Sequence, residues 1–172
     1  MESVGSILER EGEALEVLLF KLIETRLLIE AGEARFLPRA IREVERARSH
    51  ARELDLVRAA TVARIAPGTT LRDLAANATG PWPAILRDHH DVLSRLVSEM
   101  EVVAHQNAQA ARMGLELLSR QPDRAVVGAG APATGRPIRN AELDRLARGA
   151  ALDAVLGTAS RLRMPDLIDF LR

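Results

Sequence analysis

The chain has 172 residues, with 24 basic and 24 acidic side chains, 47% hydrophobic residues, no Cys, no Tyr, one Trp and three Phe. One domain is expected at this length, able to bury roughly 70% of the surface its unfolded chain exposes without disulfide or zinc staples. Zero net charge removes the broad electrostatic footprint that nucleic acid or an anionic membrane surface needs, so neither is expected as a partner.

Met1–Arg10 lacks a basic start followed by an apolar run, and no 18-residue apolar stretch exists, so neither a signal peptide nor a membrane span is expected. With no thiol chemistry, a reducing cytoplasm is the expected location. Aromatics make up only 2% of a chain rich in Ala, Leu, Arg and Glu, side chains that favour helix because they lose little rotamer freedom there. The fold class is all-α, expected as an elongated antiparallel helical bundle or coiled coil of three long helices, plus a C-terminal helix on a Pro/Gly-rich tether.

In chain order, the first helix is predicted from about Val4 to Ala31, where Leu8, Leu15, Leu22 and Ile29 recur every seven residues beside Leu18, Leu19 and Ile23. Gly32 suits its C-terminus and Pro38 the first turn of the next helix, giving a hairpin turn packed by Phe36 and Leu37. The second helix is predicted over about Pro38–Ile65, with Ile41, Val44, Ala47, Ala51, Leu54, Val62 and Ile65 inward and interleaved Arg and Glu on a solvated face. After Ala66-Pro67-Gly68, the run Thr70-Leu71-Arg72-Asp73 reads as a capping box opening a short helix to Ala76. Asn77–Pro83 is a loop that sets the only Trp between two prolines.

The third long helix, about Trp82–Arg120, has the clearest periodicity. Leu86, Leu93, Met100, Asn107 and Gly114 hold one seam position, and His89, Leu96, Val103, Ala110 and Leu117 the other, a 3-4 spacing that predicts coiled-coil-like packing. Residues 1–121 are expected as the bundle core and 122–139 as a flexible linker, because Pro122, Gly128, Gly130, Pro132, Gly135 and Pro137 interrupt any helix. Residues 140–172 complete the chain as an amphipathic helix with Leu143, Leu146, Ala150, Ala154 and Leu162 inward, then a hydrophobic hook of Leu167, Ile168, Phe170 and Leu171.

Motifs for catalysis are weak. Gly128–Gly135 lacks the strand, helix N-terminus and Lys that a phosphate-cradling loop requires. His50, His89, His90 and His105 have no second His one turn away, so no metal is expected, and His89 reads as a polar core residue. Nothing marks two carboxylates as a desolvated acid/base pair, and no Ser sits on a nucleophile elbow. Neither an enzyme nor a cofactor is expected.

Asn107 has two readings. It fixes register against a neighbouring helix, as a buried Asn does in coiled coils, or it belongs to a shallow trough left by small seam residues. That trough, lined by Val103, Asn107, Ala110, Met113, Gly114, Leu117 and Leu118, would accept an added amphipathic helix, with Met113 as an adaptable contact.

Leu18-Leu19-Phe20-Lys21-Leu22-Ile23-Glu24, Phe36-Leu37-Pro38-Arg39-Ala40 with Glu43-Val44-Glu45, Ile85-Leu86-Arg87-Asp88-His89 and His105-Gln106-Asn107 stand in an order and spacing that resemble the FlgN-type flagellar export chaperones, in an actinobacterial-like branch. The resemblance covers about residues 4–120. It implies a cytosolic helical bundle that binds the flagellar hook-filament junction proteins and delivers them to export gate and ATPase components, with the client held late on the last long helix. That location coincides with the trough around Asn107. No gate-contact residue carries over, and residues 121–172 lie outside the resemblance. The alternative is a structural or dimerising scaffold whose Leu86–Leu117 seam pairs between two copies.

Overall fold

In the computed structural model, which describes residues 1–120 and 137–172 (side chains of 137–141 excepted), helices run over Glu2–Glu30 (α1), Leu37–Ile65 (α2), Leu71–Asn77 (α3), Trp82–Arg120 (α4), Pro137–Ser160 (α5) and Pro165–Leu171 (α6). A single 3-10 turn, Ala34–Phe36, joins α1 to α2. Among the described residues there is no strand, and no helix is long and apolar enough to cross a membrane. The all-α expectation holds, and the expected element boundaries fall within a few residues of those observed. Most of the expected tether lies outside the described residues; Pro137 instead opens α5.

Local chemistry accounts for the helix ends. Gly32 adopts φ +70 just past α1, and the Gly32 amide donates to the Ile29 carbonyl while that of Glu33 donates to Leu28. These bonds close a Schellman motif that a residue with a Cβ would strain. The capping box of α3 is present: the Asp73 amide donates to Thr70 Oγ1 at 3.2 Å, and the Thr70 amide to Asp73 Oδ2 at 3.4 Å.

Paired residues give the helix directions. Glu11 meets Arg58 and Lys21 meets Glu43, so α2 runs antiparallel to α1. Gly5 lies against Trp82, Gly12 against Leu93 and Leu22 against Asn107, so α4 runs parallel to α1. Arg145 donates to the Leu118 carbonyl at 2.7 Å and Leu152 sits on Gly114, so α5 returns antiparallel to α4. One core is built mainly from α1, α2 and α4, around Leu8, Leu15, Leu18, Val44, Leu86 and Leu93, and is joined by Leu167 and Phe170 of α6. A second, smaller one unites Leu37, Ala111, Ala151, Leu152 and Val155 beneath α5.

Several expected inward residues point elsewhere. Phe36 and Ile65 are about half exposed, whereas Leu37 is buried as expected. Phe36 lies under the Arg35 guanidinium, 4.6 Å from its ring centroid. On α5, Leu143 and Leu146 are more than half exposed, Ala150 and Ala154 are exposed, and the buried residues are Ala151, Leu152, Val155 and Thr158. Apolar residues surround that helix on nearly every side, so its own periodicity cannot choose a face; docking on α4 and α2 does.

Candidate functional site

Along α4 the expected seam is buried at Leu86, Leu93, Leu96, Met100, Val103 and Asn107, with His89 half-buried. Beyond Asn107 the buried line moves to Ala111, with Ala110 half-buried and Leu117 exposed. A straight helix drifts by about 20° per heptad against a strict seven-residue repeat, and past this point α5 takes over as the principal neighbour.

The seven trough residues therefore divide into three groups. Val103 and Asn107 are buried between α1 and α4, and Asn107 is only 2% exposed. Its Nδ2 donates to the Leu22 carbonyl at 2.9 Å, while its Oδ1 has no partner among the described residues. Gly114 and Leu118 lie under α5: a Cβ built on Gly114 would stand 2.9 Å from Leu152 Cδ1, and Leu118 packs against the second core. Ala110 lies between these groups, whereas Met113 and Leu117 are 60% and 64% exposed. Asn107 thus ties α4 to α1 through the Leu22 carbonyl. The seven residues do not line one open trough, because α1 packs on Asn107 and this chain's own α5 covers Gly114 and Leu118.

A separate groove of about 770 Å³ runs along the opposite flank of α4, between it and α5 and α6. Met100, Ala104 and Ala108 of α4 line one wall, and Leu156 and Ala159 of α5 the other. Met164 and Ile168 line the groove beside the α5–α6 junction. Glu101, Arg112 and Arg163 supply its charged groups, and His105 adds an imidazole. The sequence reading missed this groove because it depends on how α5 and α6 dock, which helical periodicity does not encode.

The reading also missed a buried charge cluster. Arg58 of α2 lies 3.1 Å from Glu11 Oε2, donates to Glu11 Oε1 at 3.3 Å and donates through Nη2 to Asp55. All three side chains are essentially inaccessible. On its other side, the guanidinium faces the Phe170 ring at 4.2 Å, tying α6 to α1 and α2. Burial raises the Glu11 pKa to about 7, against the pull of Arg58. The expectation that carboxylates keep to solvated faces fails here. A signal existed: Glu11 stands between Leu8 and Leu15 on the inward line of α1, and Asp55 and Arg58 between Leu54 and Val62 on that of α2.

On α4, His90 Nε2 lies 2.9 Å from the Leu171 carbonyl and its Nδ1 lies 3.1 Å from Asp91. This histidine fastens α6; among the described residues, no group of three or more His, Cys, Asp or Glu could hold a metal ion. No family model, curated protein or solved structure matches this chain.

Proposed function

We propose that this protein is a cytosolic export chaperone of the flagellar type, which holds the amphipathic C-terminal helices of hook-filament junction proteins and passes them to the flagellar type III export apparatus. The elongated, antiparallel, coiled-coil-like arrangement expected from the α4 seam belongs to the same proposal. The observation that carries it is the docking of Leu152 on Gly114: the late half of α4 accepts a helix edge-on because small side chains let the backbones approach. In this reading α5 is a stand-in that the client displaces. Its hold suits exchange, since Leu143 and Leu146 lie outside the packed face and, among the described residues, its contribution to the second core comes from Ala151, Leu152, Val155 and Leu156 in its later half.

Because the native chain has no Cys, a cysteine pair at Gly114 and Leu152 can lock α5 in place by a disulfide or a short crosslink. Junction proteins, each with and without its C-terminal helix, are co-purified with the locked and the reduced protein. Capture that needs the client's helix, fails when locked and returns on reduction supports the proposal. No capture in any state refutes it.

The scaffold reading rests on a different surface. Leu86, Leu93, Leu96 and Met100 are buried within the chain, so a second copy would use Val17, Phe20 and Leu27, which are exposed at helical spacing along α1. A concentration-independent dimer mass in light scattering, lost on Phe20→Glu, favours that reading.

A further inference from the structure

We infer that the groove between α4 and the α5–α6 corner is a second docking surface, which takes an acid-flanked amphipathic helix of a partner protein while α5 stays in place. The inference goes beyond the proposed function, since nothing has to be displaced.

Shape gives the first argument. The α4 wall runs from Val97 to Arg112, about 22 Å at 1.5 Å per residue, or roughly four helical turns. Ala104, Ala108 and Ala159 line it, and short side chains permit helix axes to approach to about 8 Å. The groove lies between packed helices and is partly open to solvent, a form suited to helix-in-groove recognition. Met100 and Met164 add side chains that adapt to a range of apolar shapes.

Charge gives the second. Arg163 stands at the α5–α6 junction and Arg112 at the far end of the α4 wall. Neither has an ion pair among the described residues; the two Arg, with His105 between them, face a single acid, Glu101. A helix with an apolar seam and carboxylates on its flanks would satisfy both guanidinium groups, whereas a basic helix would meet like charge at both ends.

The test uses two fluorescein-labelled model peptides of about 16 residues, roughly the length of the groove at 1.5 Å per residue. They share a Leu/Ala face and differ only in having Glu or Lys at the flanks. Fluorescence anisotropy is measured against the full chain, the double variant Arg112→Glu/Arg163→Glu, the variant Ala108→Trp and the protein locked between 114 and 152. The Glu peptide is expected to bind the native chain in preference to the Lys peptide. The double charge reversal should weaken it about tenfold and reverse the preference, and Ala108→Trp should block both peptides with the helical melt unchanged. Locking should leave the Glu peptide's affinity as it was, whereas the trough-binding reading requires its loss. Equal binding of the two peptides, insensitivity to Ala108→Trp, loss on locking, or no binding of the Glu peptide would each overturn the inference.

Discussion

Replacing Glu11 by Gln should stabilise the protein above neutral pH and leave it nearly unchanged near pH 5. The reason lies in where this carboxylate sits: 0% exposed, with Arg58 shared between it and Asp55 and no aligned hydrogen bond on Oε2. Burial, opposed by Arg58 and reinforced by Asp55, carries its pKa from 4.5 to about 7. At about 1.4 kcal/mol per pH unit, that displacement corresponds to about 3 kcal/mol as an upper bound. Because the folded value lies above the unfolded one, the folded state binds the additional proton. The stabilisation is complete below about pH 4.5 and is lost as pH rises through about 7. Gln keeps the shape and an acceptor for Arg58 but cannot ionise, so the variant should gain about 1–3 kcal/mol over the native chain by about pH 8. Urea unfolding followed by circular dichroism at intervals between about pH 5 and pH 8 measures both curves. A native stability that stays level across this window, or a variant equally weakened at both ends, would refute the reasoning.

Glu43 acts in a different window. Hydrogen bonds from Lys21 and then Arg39 hold its pKa down to about 2, so its contribution is present above about pH 4.5 and fades as pH falls towards 2; Glu43→Gln should lower stability at neutral pH and flatten the acid limb, so that the variant and native curves converge near pH 2. Asn107→Leu should cost less than about 1 kcal/mol or stabilise, because it removes a buried oxygen without a partner, whereas Asn107→Ala should cost about 1–3 kcal/mol, both read by urea unfolding. Phe170→Ala removes the ring above Arg58 and part of the main core, and should lower stability by about 3–5 kcal/mol in the same assay. Gly114→Leu should drive Leu152 outward, so that hydrogen exchange quickens across α5 while α1 and the first half of α4 stay protected; unchanged α5 protection would contradict its light hold.

The helices were legible wherever periodicity and punctuation agreed. Leu8, Leu15 and Leu22 marked the buried side of α1, Pro and Gly marked the breaks, and Thr70 with Asp73 marked a cap, because these signals act over one or two turns. Faces chosen by distant partners were not legible. Ala151 and Val155 differ from Ala150 and Ala154 only in what α5 happens to meet, and Ile65 looked as apolar as Val62 without finding a neighbour to cover it. For the candidate site, Asn107 and Gly114 were visible as polar and small interruptions of a seam, yet the covering of Gly114 by Leu152 depends on a helix returning from across a break of unfavourable composition. The Glu11, Asp55 and Arg58 cluster was hidden for another reason. Each residue is of a type common on the surrounding surface, its place on the inward line was the one clue, and the antiparallel register of α1 on α2 brings Glu11 to the Arg58 and Asp55 pair of α2.

The stacking of Phe170 on Arg58 has a consequence for how the protein is made. Ribosomes deliver α1, α2 and α4 well before α6, so the early helices meet while the charged centre between them still lacks its aromatic lid. Until those late residues clear the exit tunnel, that centre remains open to water on one side and the nascent chain stays short of its finished interior. Closure of that centre thereby waits on a segment far along the chain from the two helices that build it.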